Sequence, residues 1–214
     1  THFAQPSDLE FTELQRERFK IACSSIPENL RPQLMIHADN SSSLLTLRND
    51  PWFNAIRIGL LQFGVSPQKE SVFSDLKVEP VLSFHSKLAF IKRLPTQTSL
   101  SYGREYRLER DSTIGIISAG YGDAVPLHCG SKAHALIRGK PYPIVGRVTM
   151  DQTLIDLTDG PNDLANGEVV TLIGQQNGNS IPLEALALHG KTIPWELLCS
   201  ITKRVPRIYL TKRE

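Results

Sequence analysis

The sequence lacks most of the marks of a specialised environment. Of its 214 residues only Cys23, Cys129 and Cys199 are cysteine, and no CxxC spacing occurs. So sparse and odd a set argues against a disulfide framework and for a reduced, cytosolic protein whose cysteines are small buried hydrophobes. Excess charge is lacking too: 24 lysines and arginines face 22 aspartates and glutamates. Bulk charge therefore gives no reason to expect nucleic acid or an anionic membrane as a partner. No apolar run approaches the ~18 residues of a membrane span. The opening THFAQPSDLEF has neither the basic start nor the apolar stretch of a signal peptide. Low-complexity tracts and internal repeats are absent, which leaves out collagen-like, mucin-like and solenoid proteins. What is there, 40% apolar and 21% charged residues, is the composition of a globular domain.

The text has two grammars. Up to about residue 78 it alternates helix-like and strand-like segments. Ser7-Asp8-Leu9-Glu10 reads as a capping box. Phe11, Leu14, Phe19, Ala22 and Ile26 then recur at helical spacing, and Pro27 marks the end. The apolar Leu34-Met35-Ile36 predicts a strand covered on both faces, as in a parallel sheet. A short helix is expected from near Ser41, and a second buried strand over 55–60. This is β/α text. From Val78 on, short segments rich in β-branched residues predict strands at 82–94, 113–119, 133–138, 144–148 and 169–173, with a turn at Arg138-Gly139-Lys140-Pro141. Such spacing suggests an antiparallel sandwich or barrel. Two helices are expected, from Pro182 to His189 and from Pro194. The first region alone cannot close a sheet, so other strands are expected to complete it, from another chain or from an earlier part of a longer protein.

Several strings could carry chemistry. His37-Ala38-Asp39-Asn40-Ser41-Ser42 follows the first expected strand and opens a helix, where amides and serine hydroxyls can hold an anion. Asn40 or Ser41 could equally be a simple helix cap. Arg57 lies in apolar text, where an arginine needs a partner, and a structural ion pair would serve as well as a ligand. Gly59 would let a main-chain amide approach a ligand closely. In eight-stranded barrels, phosphate commonly sits at the loops after the last two strands, and these two loops fit that layout. Ser101-Tyr102-Gly103 reads as a turn, and Ser118–Asp123 as a glycine-rich bend without phosphate-loop spacing. Arg147 and Asp151 could form a surface ion pair. His85, His128, His134 and His189 form no ligand pattern, so no metal is expected.

Taken together the strings resemble the alanine racemase family, fold-type III enzymes using pyridoxal 5′-phosphate. They are THFA at 1–4, HADNSS at 37–42, RIGLLQFG at 57–64, SYG at 101–103, GYGD at 120–123, VGRVTMDQ at 145–152 and RVPRIYL at 204–210. They run in the family's order along essentially the whole chain, and the GRxxMDQ string is the most specific. The resemblance implies α/β plus all-β architecture: residues 1–78 as the last segments of a (β/α)8 barrel and 79–214 as a β-rich C-terminal domain. It also implies that the Schiff-base lysine is not in this chain, because the family's VKANAYGHG-like string does not occur. The chain alone is then expected to be inactive.

Roles carried over from the family fall on particular residues. Tyr102 would be the second catalytic base, acting in the other subunit's site of a head-to-tail homodimer. His2 would hydrogen-bond Tyr102, and Arg57 would contact His2 and face the pyridine nitrogen. His37 would buttress Arg57. Ser41 and the amides of Gly59 and Leu60 would hold the phosphate. Met150 would bind the substrate carboxylate through its amide, and Asp151, Arg147 and Tyr121 would line the entrance. Lys203 stands where the best-known members have a phosphate-touching tyrosine, and an ammonium binds phosphate as a point charge. The expected partners are alanine and the N-terminal part of the same enzyme. The expected activity is interconversion of L- and D-alanine for peptidoglycan. A racemase of serine or lysine, the racemase module of a fusion, and a noncatalytic β-domain binding module are the alternatives.

Overall fold

The computed structural model describes residues 1–46, 50–66 and 78–210, which form two compact units, Thr1–Val81 and Leu82–Glu214.

Helix α1 of the first unit spans Leu9–Ser24 and ends ahead of Pro27. Its cap is Asp8, not Ser7: Asp8 Oδ1 accepts the Phe11 N–H at 3.0 Å. A carboxylate at the positive helix end is favoured by the dipole as well as by the bond, and it displaces the neutral hydroxyl one residue earlier. The expected apolar stripe is not the buried face. Thr12, Arg16 and Cys23 are buried, whereas Phe11, Leu14 and Ile21 are exposed. Only Phe19 finds an aromatic partner, stacking on Phe53 with centroids 5.7 Å apart.

Strands β1 (His37–Asn40) and β2 (Ala55–Arg57) are parallel, with His37 opposite Ala55 and Asn40 opposite Arg57. The parallel β/α reading holds, but the strand expected at Leu34–Ile36 is displaced. Asn54 ties that stretch instead: its Oδ1 accepts Ile36 N–H (2.8 Å), and its Nδ2 donates to Leu34 O (2.8 Å). Met35 is 80% exposed, and the ladder begins three residues after the apolar run does. β2 is shorter than expected because Gly59 (φ −108°, ψ −88°) leaves extended geometry. It is not covered on both faces, since Ile56 and Ile58 are exposed. The helix expected at Ser41 is a 3-10 turn over Ser43–Thr46. A second such turn, Leu60–Phe63, follows Gly59 and ends at Gly64. Gly64 has φ +70°, and a Cβ there would come 1.8 Å from Glu79 O.

The second unit holds β3 (Phe84–Leu94), β4 (Ser99–Leu100), β5 (Tyr106–Arg107), β6 (Ser112–Ile117), β7 (His134–Ile137), β8 (Lys140–Val145), β9 (Thr153–Asp156), β10 (Val169–Gln176) and β11 (Asn179–Ile181). Helices α2 (Leu183–His189) and α3 (Pro194–Ser200) follow. Pairing runs β10-β3-β6-β9-β8-β7 and returns from β7 to β10, antiparallel throughout. The sheet therefore closes into a six-stranded barrel, with β11 attached to β10. Ile117, Ile137, Ile144, Ile155, Val170 and Leu172 are fully buried. Both proline-led helices and the expected strands are present, except that the strand expected over 144–148 lies at Lys140–Val145; β4, β5, β9 and β11 go beyond the expected set. The β7–β8 turn has positive φ at Arg138 (52°) and Gly139 (83°), as a tight two-residue hairpin demands.

Candidate active site

Parallel strands deliver their following loops at the same end of a sheet. Ser41 follows β1 and Gly59 follows β2, and the Gly59 N–H donates to Ser41 Oγ at 2.8 Å. Ser41 is buried, and having accepted that hydrogen it keeps its own O–H to donate. A Cβ on residue 59 would meet only Ser41 Oγ, at 3.9 Å, so there is room for a group over the glycine. Leu60, buried, begins the 3-10 turn, whose first amides have no acceptor within the turn. Serine hydroxyl, glycine backbone and turn amides together suit the oxygens of a phosphate.

Arg57 ends β2 and is exposed, which corrects the expectation of an arginine enclosed in apolar surroundings. Its Nη2 donates to Thr1 O at 2.7 Å. Residues 1–3 lie along β1, where Phe3 N–H donates to Ala38 O, and Gln15 of α1 clamps them by donating to His2 O at 2.8 Å. His2 is thereby brought to Asn40, with Nε2 3.3 Å from Asn40 Nδ2. Among the described residues no hydrogen bond joins His2 to Arg57. The two interact through space: partial burial first, then the charges of Arg57 and His37, hold His2 below its ordinary pKa. His37 Nδ1 is buried without a hydrogen-bond partner, so that atom makes no bond to Arg57.

In the second unit, SYG forms a tight turn. Ser101, Gly103 and Arg104 all have positive φ (62°, 76° and 53°), and Tyr102 is 73% exposed at its apex. Strain of this kind persists only where the surroundings enforce it. Ser101 Oγ donates to Arg147 O at 2.6 Å. Leu100 and Leu108, on either side of the turn, are buried with Ile114 and Val145. Gly146 (φ +66°) is needed because a Cβ would press 3.0 Å from the Ser101 Cβ. Tyr102 and Arg147 border a cleft of about 520 Å³ with Glu105, Tyr106 and Lys132.

The far end of VGRVTMDQ joins GYGD. Tyr121 N–H donates to Thr149 O and Gly122 N–H to Met150 O, both at 2.9 Å. Gly120 has no alternative residue here, since a Cβ would lie 2.1 Å from Thr149 O. Arg204 then clamps both loops, through Nε to Asp123 Oδ1 at 3.1 Å and through Nη2 to Asp151 Oδ1. Tyr121, Met150 and Arg147 are exposed. Lys203 is exposed one residue before the clamp.

The model of the alanine racemase C-terminal domain matches residues 81–209, and that of the N-terminal domain matches residues 1–67. The chain belongs to the alanine racemase family. An alanine racemase of Prochlorococcus marinus is 36% identical over 202 residues, covering 94% of this chain and 51% of that protein. The structure of Bacillus anthracis alanine racemase with bound L-Ala-P matches with a TM-score of 0.87 and 34% identity, over 99% of this chain and 54% of that one. The Bartonella henselae alanine racemase, solved with covalently bound pyridoxal phosphate, matches with a TM-score of 0.81 and 27% identity, over 98% and 55%. The chain thus spans about half the length of the relatives it matches.

The alanine racemase strings gather into two clusters, THFA, HADNSS and RIGLLQFG in the first unit and SYG, GYGD, VGRVTMDQ and RVPRIYL in the second. Three residues went unassigned in the sequence reading. Arg204 was visible only as the head of RVPR. Asn40 was seen as a possible cap. Buried Arg16 lay on an unmarked helix face, 3.5 Å from Asp50 and 4.0 Å from Asp39. Among the described residues no helix is long and apolar enough to cross a membrane.

Proposed function

We propose that this chain supplies part of an alanine racemase active site and interconverts L- and D-alanine when completed by the barrel segments that its relatives carry. In this reading residues 1–78 are the last segments of a (β/α)8 barrel, 79–214 are the β domain, and the product D-alanine serves peptidoglycan synthesis in the cytosol. The observation that carries it is the meeting of Ser41, Gly59, Arg57 and His2 at one strand end, on strings that match the family.

Bound pyridoxal 5′-phosphate supplies the electron sink that acidifies the substrate α-proton. The residues of this chain hold and direct it. The Ser41 hydroxyl, polarised by the Gly59 amide, and the Leu60 amide hold the phosphate, with Lys203 adding a point charge. Arg57 would face the ring nitrogen of the cofactor; a guanidinium stays protonated and could not hand that nitrogen a proton. Tyr102 moves the proton at the substrate Cα on one face, opposite a lysine outside this chain, and inversion at carbon needs two such groups on opposite faces. It does so in the other subunit's site, where the fixed cation Arg57, acting through neutral His2, favours the phenolate. The Met150 amide receives the substrate carboxylate, and Tyr121, Arg147 and Asp151 form the entrance.

Tyr102→Phe in the complete enzyme tests this reading. Removing a general base costs roughly a hundredfold to ten-thousandfold in rate. In deuterium oxide the enantiomer whose α-hydrogen faces the lysine keeps exchanging, and the other exchanges far more slowly. A mixed dimer of Tyr102→Phe with a lysine-dead subunit recovers activity through one intact site. Equal loss of exchange for both enantiomers would assign Tyr102 a structural role.

A further inference from the structure

Asn40 stands between β1 and the serine turn, and its amide is fixed by the main chain. Oδ1 accepts from Ser42 N–H at 3.0 Å and from Ser43 N–H at 3.1 Å. Nδ2 donates to Phe3 O at 3.0 Å. A flipped amide would set its NH2 against two N–H groups and its oxygen against a carbonyl, losing all three bonds. The atom 3.3 Å from His2 Nε2 is therefore Nδ2, which can only donate. A donor at that place requires a lone pair on Nε2.

We infer that Asn40 is a positioning residue that holds His2 as the neutral imidazole with its proton on Nδ1. The inference rests on the reading of His2 as the link between Arg57 and Tyr102, and it sharpens that link. The ring then has a single donor, Nδ1–H, and that donor suits a phenolate oxygen. With the proton on Nε2 instead, the ring would turn a lone pair outward and hold Tyr102 as the phenol, unable to take the α-proton. The surroundings act in the same sense. Arg57 of β2 and His37 of β1 both bear on His2 and disfavour a second proton. The Gln15 side chain of α1 is neutral and bonds the His2 carbonyl. Asp39 of β1 lies within ion-pair distance of Arg16.

The complete enzyme labelled with ¹⁵N-histidine, its His2 signals identified by their loss in His2→Gln, gives the test. At neutral pH the parent shows a protonated Nδ1 and an unprotonated Nε2. Asn40→Asp keeps an acceptor for the Ser42 and Ser43 amides but replaces the donor with an acceptor, so the Nε2 signal moves into the range of a protonated ring nitrogen. Turnover falls with it. A parent ring protonated on Nε2 overturns the inference, as does an Asn40→Asp spectrum in which both His2 signals stay in place. Should Asn40→Asp fail to fold, the parent spectrum decides alone. Tyr102→Phe exchange is read separately, so the catalytic reading can fall while the tautomer assignment stands.

Discussion

The two units differ in what they bury beside their apolar side chains. Leu82–Glu214 closes a barrel around aliphatic side chains, and its functional loops hang from that closed frame. Thr1–Val81 buries an arginine, an aspartate and two serines while leaving much of its apolar surface outside: Arg16 is 5% exposed, Ile58 46%. A hydrophobic core is satisfied by any well-packed neighbour, whereas a buried polar cluster is stable only when each member has its partner. The first unit is thus built from the site outward, with apolar faces suited to further strands and helices. The second is built from the core outward and carries its candidate site residues on turns.

The comparison is broken most severely at Arg16. Its guanidinium lies over Phe3 (4.9 Å) and Phe53 (5.5 Å) and faces Asp39 and Asp50. Arg16→Met leaves buried Asp39 without its cation and Asp50 with Lys20 alone, and costs about 3–5 kcal/mol in denaturant unfolding. A cost under about 1 kcal/mol, the level of an exposed pair, would show that the cluster is not a structural centre. The loss also depends on pH. Burial pulls the Asp50 pKa up, but the Lys20 bond (2.8 Å), the Trp52 amide and the charges of Lys20 and Arg16 outweigh it and hold the carboxyl below its ordinary value. A depressed folded pKa adds stability above the unfolded value near 4, which is lost as pH falls through the folded value. Acid titration of the parent shows that loss, and Arg16→Met shows less of it.

One substitution made in both units sharpens the contrast. Ile155 is fully buried in the barrel, and Ile155→Ala costs about 2–5 kcal/mol. Ile58→Ala in this chain stays within about 0.5 kcal/mol, as for a surface change. Equal costs by denaturant titration would erase the distinction. The smallest effect on stability falls on the loops of the second unit. Arg204→Gln removes a half-exposed clamp and costs about 0.2–1 kcal/mol. On the proposed function, the KM for alanine of the complete enzyme rises because the loop bearing Met150 and Asp151 loosens. An unchanged KM would place that loop away from the substrate.

The sequence was most legible where burial and propensity agree. β3, β10 and the helices after Pro182 and Pro194 carry β-branched or proline signals that the fold does not override. It was least legible where polar residues occupy a strand. Leu34-Met35-Ile36 has the apolar text, yet His37–Asn40 makes the ladder, because the side chain of Asn54 captures the earlier amide and carbonyl. Helix α1 misleads in the same way, since periodicity finds a stripe without saying which stripe faces inward. Motif strings pointed to the candidate site residues. What they could not give is who holds them: the orientation of the Asn40 amide and the double grip of Arg204 draw on contacts across 37 and 53 positions of sequence.

Closure of the six-stranded ring also bears on self-association. A ring has no first or last strand, so it leaves no row of bare amides and carbonyls to template another molecule, and only three-residue β11 hangs from it. Among the described residues β2 pairs only with β1, and Ile56 on it and Ile58 just beyond it stand exposed. Aggregation of this polypeptide by strand addition therefore begins at the β2 edge, and a lysine introduced there is the change that blunts it.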